Sequence, residues 1–103
     1  MNTLKKINTL DNSVTKKYLL SSSAEEKIYA LSLINNENID DLLDEIKICA
    51  YDHRETVRIF AYKALMYAKT DDIKEVLKDA LRDEKKSAFQ AARDLFDYHR
   101  NIK

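Results

Sequence analysis

The sequence contains no glycine, no proline and no tryptophan, and it has a single cysteine. At ordinary usage of about 7% and 5%, a chain of this size would carry roughly a dozen glycines and prolines together. Without glycine there is no Gly-rich phosphate loop of the kind nucleotide enzymes use. Hairpin-rich β folds lose the residues that take positive φ at their turns. Cys49 alone cannot make an internal disulfide, so an extracellular disulfide framework is excluded. Net charge is missing too: 18 basic residues balance 18 acidic ones. That balance indicates neither a strongly basic nucleic-acid module nor a polyacidic tail. No run approaches the roughly 18 apolar residues of a membrane span. The N-terminal MNTLKKINTLDNS has lysines but no apolar core of signal-peptide length. A cytoplasmic protein that enters no membrane is expected, and Met1 with the polar ends points to a complete chain.

What is present is 103 residues that are 45% hydrophobic and 35% charged, the composition of one folded domain. Apolar residues recur at helical spacing in six segments, about residues 10–20, 23–35, 39–51, 55–69, 71–82 and 87–98, the last the weakest. Residues 1–7 either fray or add a turn through Leu4 and Ile7. Ser23 and Glu26 have capping-box spacing. Asp40 and Asp41 suit the positive end of a helix dipole. The links SSS, NNEN, DHR, KTD and DEK are short and polar, as between antiparallel neighbours. Asn35, Asn36 and Asn38 are expected to replace glycine at a left-handed helix end.

A shift of 31 residues superposes the segments without a gap. Asp40, Leu42, Ile46, Cys49, Ala50 and Asp52 meet Asp71, Ile73, Leu77, Ala80, Leu81 and Asp83. Ala30, Leu33 and Ile34 meet Ala61, Ala64 and Leu65, then Ala92, Leu95 and Phe96. The alanine at the first of these positions lets adjacent helices approach closely, as every step of a stack requires. ETVRIFAYKAL (residues 55–65), with IKICAYD (46–52) before it, resembles a HEAT repeat. The resemblance covers about residues 8–100. It implies an all-α fold of three antiparallel helix pairs, stacked as a short HEAT-like right-handed superhelix. The repeats would span about 8–36, 38–69 and 70–100 of a single domain, 1–103. It also implies a turn aspartate paired with an arginine of the second helix, here Asp52 with Arg58. The first repeat has Ser21 and Lys27 there and the third has Asp83 and Phe89, so the polar ladder is complete only in the middle. The alternative is an ordinary six-helix bundle. The middle pair should be the most buried, with Phe60, Ala61, Ala64 and Leu65 at the centre.

Chemistry is sparse. His53 lies beside Asp52 and Glu55 in a turn, and His99 lies beside Asp97 near a helix end. Each is a minimal acid–base pair with no nucleophile converging on it, so no catalytic residue is expected and no enzyme. Cys49 falls on an inward stripe and reads as core. Asp40/Asp41 and Asp71/Asp72 read as helix-start charge, so no metal and no cofactor are expected. Some DNA glycosylases are built of HEAT-like repeats, but here Arg54, Arg58, Lys85, Lys86, Arg93 and Arg100 are interleaved with acids. Nucleic acid is not the expected partner.

The remaining surface signal is a second apolar stripe. Ile28, Leu31, Ile59, Tyr62 and Met66 lie off the core face of the second helices, with Arg58 and Arg93 beside them. They are the expected partner-binding residues of a protein–protein interaction scaffold, and self-association into a homodimer belongs to the same expectation. The stripe would instead be packing if Ile59, Tyr62 and Met66 were all buried within one chain. Two other functions are compatible with the chain: a small inhibitor of an intracellular enzyme, of immunity or phage anti-defence type, and a helical-repeat nucleic-acid-binding protein.

Overall fold

The computed structural model describes residues 11–101, and every regular element among them is helical. The six helices are α1 (Asn12–Leu19), α2 (Ala24–Leu31), α3 (Ile39–Cys49), α4 (Glu55–Ala64), α5 (Lys74–Ala80) and α6 (Lys86–Asn101). All six periodic segments are therefore helices, and the weakest in pattern, α6, is the longest at 16 residues. Leu4, Ile7 and Leu10 lie outside the described residues.

Helix ends differ from expectation in instructive ways. Asp11 caps α1 by accepting from the Ser13 amide at 2.9 Å. Ser23 Oγ accepts from the Glu26 amide at 3.2 Å, which is half of the expected capping box. The other half is replaced, since the Ser23 amide donates to Ser21 Oγ at 2.9 Å. The expected left-handed asparagine does not occur, because no described residue has positive φ. The asparagines act through their side chains instead. Asn35 Oδ1 accepts from the amides of Glu37 and Asn38, and Asn38 Nδ2 donates to the Leu33 carbonyl at 3.0 Å. The segment expected to run to Lys69 leaves the α conformation at Ala64 and tightens into a 3-10 turn, Leu65–Tyr67. A second 3-10 turn, Thr70–Ile73, leads into α5.

Within each consecutive pair the helices touch: α1 with α2, α3 with α4, α5 with α6. Between pairs, α1 touches α3, α2 touches α4, and α4 touches α6. The principal extents are 42 × 32 × 19 Å. Ala30, Ala61 and Ala92, the recurring small residues, are all fully buried. One continuous core runs from Leu19 through Leu42, Ile46 and Leu65 to Leu95. Ala61, Ala64 and Leu65 are central as expected, but Phe60 is not. Its ring is half-buried at the edge, and Val57, one turn earlier, takes the inward position. Among the described residues, no helix is long and apolar enough to cross a membrane.

Candidate partner-binding face

Between the second and third pairs lies a polar seam. Arg58, on α4, reaches Asp83 in the turn before α6 with two bonds, Nε at 2.7 Å and Nη2 at 2.9 Å. Tyr62, one turn further along α4, donates its hydroxyl to the same carboxylate at 2.8 Å. Hydrogen bonding from Arg58, and then from the Lys85 amide and Tyr62, holds the Asp83 carboxyl at about 2, well below its usual range. Burial and the Asp83 carboxylate push the Tyr62 phenol upward. Asp52 does not pair with Arg58 through its side chain. Arg54, two residues away and more favourably placed, holds the Asp52 carboxylate with Nε at 2.9 Å and Nη2 at 3.1 Å. That contact lowers Asp52 to about 2. Arg58 takes only the backbone carbonyls of Asp52 and His53.

The first and second pairs are stitched to the Leu19 carbonyl and its neighbours. Lys27 Nζ donates to Leu19 O at 2.6 Å and Cys49 Sγ approaches the same oxygen at 3.4 Å. Arg54 Nη1 donates to Ser22 O at 3.0 Å. Burial raises the Cys49 thiol above its ordinary value, so it is a neutral core group. Tyr51, lifted to about 12 by burial and by Asp79, donates its hydroxyl to that aspartate.

The histidines part company. His53 is exposed, 3.6 Å from an Asp52 carboxylate already engaged by Arg54. His99, near the end of α6, is fully buried. Its Nε2 lies 2.9 Å from the Leu65 carbonyl, which can only accept, so Nε2 carries a proton. Its Nδ1 lies 2.9 Å from the Thr70 hydroxyl. The same Leu65 carbonyl also accepts from the Ala68 amide at 3.1 Å, which closes the 3-10 turn after α4, so His99 is its second donor. Among the described residues, no three His, Cys, Asp or Glu side chains come together as metal ligands.

The second helices and the turns that follow them enclose a groove of about 570 Å³. Leu31, Ile34, Phe60, Ala64, Met66, Tyr67 and Tyr98 line it, with Ser32 and Lys63. The Lys63 ammonium lies 5.5 Å from the centre of the Phe60 ring, a cation–π contact beside the apolar floor.

The expected partner-binding residues do not form one surface. Tyr62 and Leu31 are buried, at 2% and 3% exposure, because the next pair in each case packs over them. Arg58 is spent on Asp83. Ile28 and Ile59 are half-buried against the core. Met66 and one edge of Leu31 do enter the groove, and Arg93 lines a separate hollow with Leu81, Phe89 and Phe96. Phe60, Tyr67 and Tyr98 complete the groove; of these, only Tyr67 lies near the stripe in the sequence pattern. The signal that could have found two of them is the period itself, since Tyr98 stands 31 residues after Tyr67.

No family model matches this chain, and neither curated proteins nor solved structures give a match.

Proposed function

We propose that the chain is a non-catalytic protein–protein interaction module, a short stack of three HEAT-like antiparallel helix pairs that holds a partner on its second-helix face. The stack is supported by the order of contacts between pairs and by the three buried alanines 31 residues apart. The observation that carries the binding reading is the groove: an open apolar trough contributed wholly by the second helices and their following turns. Tyr67 and Tyr98 stand 45% and 44% exposed at its edges, large amphipathic side chains of the kind that dominate protein interfaces. The trough suits the apolar edge of a partner helix, with a carboxylate opposite Lys63. A non-catalytic role is supported by where the titratable groups go. Cys49 and His99 serve the core, and Arg54 and Arg58 are held by internal carboxylates rather than offered to phosphate.

The test is site-specific photo-crosslinking in cells, with the probe placed at Tyr67, at Tyr98 and at Ile48, which is more exposed than either but lies on α3. One discrete adduct at Tyr67 and Tyr98, missing at Ile48 and abolished by Met66→Asp, is the expected result. Equal labelling at all three positions, or adducts only at Ile48, overturns the groove as the binding face.

A further inference from the structure

Each pair has a forward side, on which the next pair packs. In the first pair that side carries Thr15, Leu19, Lys27, Leu31 and Ile34, all buried. Thirty-one residues on, Ile46, Ala50, Tyr62 and Leu65 are buried, and the Arg58 side chain keeps 15% of its exposure. A further 31 residues on stand Leu77, Leu81, Phe89, Arg93 and Phe96. Here the pattern breaks: Phe89 and Arg93 are exposed and the other three are only half-buried. Four of these five enclose a hollow of about 400 Å³. Its Leu81, Phe89 and Arg93 correspond to Ala50, Arg58 and Tyr62, which line the crevice between the second and third pairs. The third pair thus presents an interior-type surface to solvent.

The matching backward side is legible in the same way. Val76 and Ala80 face the second pair across that crevice, and Cys49 reaches back to Leu19. Their equivalents in the first pair are Val14 for Val76 and Tyr18 for both Ala80 and Cys49, each half-exposed. We propose that a second copy of this chain docks its first pair on the open face of the third pair, continuing the 31-residue register from one molecule into the next. The proposal rests on the stacked-repeat reading and not on the groove.

Complementarity chooses this occupant. At the inner step Arg58 meets Asp83; at the outer step Phe89 replaces the arginine and Ser21 replaces the aspartate, so the cation and the carboxylate disappear together. The Tyr18 ring comes where the inner step has only the methyl of Ala80, and the hollow beside Leu81 has room for it. Around the open face Lys85, Lys86, Arg93 and Arg100 are exposed, with Glu84 and Asp94 among them. The first pair exposes Asp11, Glu25 and Glu26 along with Lys16 and Lys17. Glu26 stands at the register position that Val57 and Ala88 fill in the later pairs. The register brings one like-charged couple together, Arg82 and Lys17, both exposed and long enough to turn outward. A second copy's open face would add more cations around Arg93, which disfavours a face-to-face dimer. A head-to-tail contact between unlike faces does not close on two copies, so assembly continues with concentration.

The test is sedimentation velocity of the full chain over a wide concentration range, for wild type, Phe89→Glu (forward side blocked), Val14→Glu (backward side blocked) and Tyr67→Glu (groove altered). Circular dichroism checks that each variant is folded, and Glu26→Arg replaces Val14→Glu should the latter unfold. Wild type and Tyr67→Glu should pass beyond dimer mass as concentration rises. Each blocked variant should associate at least tenfold more weakly alone, and an equal mixture of the two should stop at dimer, using the one intact face of each. A wild type that stays monomeric overturns the proposal. So does a backward-blocked variant that still dimerises alone, which would mean face-to-face pairing, and so does loss of association in Tyr67→Glu, which would place the contact in the groove.

Discussion

Asp83 joins two helix pairs through one carboxylate that is 4% exposed and accepts from Arg58, Tyr62 and the Lys85 amide. Removing it leaves a guanidinium and a phenol without their acceptor, so Asp83→Ala should cost about 3 kcal/mol in a urea titration, against less than 1 kcal/mol for the exposed Asp94→Ala. The sign of its pH dependence follows from its direction of shift. Its folded value of about 2 is below the ordinary 3.8, so the stabilisation is fully present above pH 4 and is lost as pH falls through 2. Asp52 acts in the same window. Together they should make the unfolding free energy fall by a few kcal/mol between pH 4 and pH 2. Asp83→Asn should flatten that slope by about half, and an unchanged slope would show that other carboxylates govern acid unfolding.

At the scale of the element, α4 shows how much of the fold is written in the chain and where the writing stops. The apolar period marks all six helices, and the 31-residue shift marks the three alanines that become fully buried. Period alone does not decide between Val57 and Phe60, which sit three residues apart on a helix with neighbours on several sides and yet differ in burial. The consequence is measurable. Leu65→Ala should cost about 2–5 kcal/mol, whereas Phe60→Ala, at the groove edge, should cost no more than about 2 kcal/mol. Equal losses in thermal or urea melts would return Phe60 to the core. The groove is less legible for the same reason. It is bounded by the turn after α4, Leu65–Tyr67, whose Leu65 carbonyl is also bonded by His99, 34 residues away. Nothing in the local sequence announces that partner. Only the repetition of tyrosine at 67 and 98 does, and it is a weak signal without the surrounding geometry.

On the scale of the whole molecule, α4 is the element with neighbours on every side: α3 within its pair, α2 before it and α6 after it. On the proposed stacking of pairs, stability accumulates from neighbours, so the middle pair is expected to open least. Native-state hydrogen exchange should place the slowest amides in α4, with α1 and α5 exchanging sooner; uniform protection throughout would mean that the pairs open as one unit. The His99 bridge also sets an order in time. The ribosome adds about 5–20 residues per second, so the 34 residues that separate Leu65 from His99 take roughly 2–7 s to make. Helices form in about a microsecond or less. A nascent chain therefore waits for seconds with α4 and its following turn free to coil, the Leu65 carbonyl still without its second donor and the apolar flank of its second pair bare. That interval is when a chaperone, or a neighbouring nascent chain of the same kind, has its best access to the surface that α6 will cover.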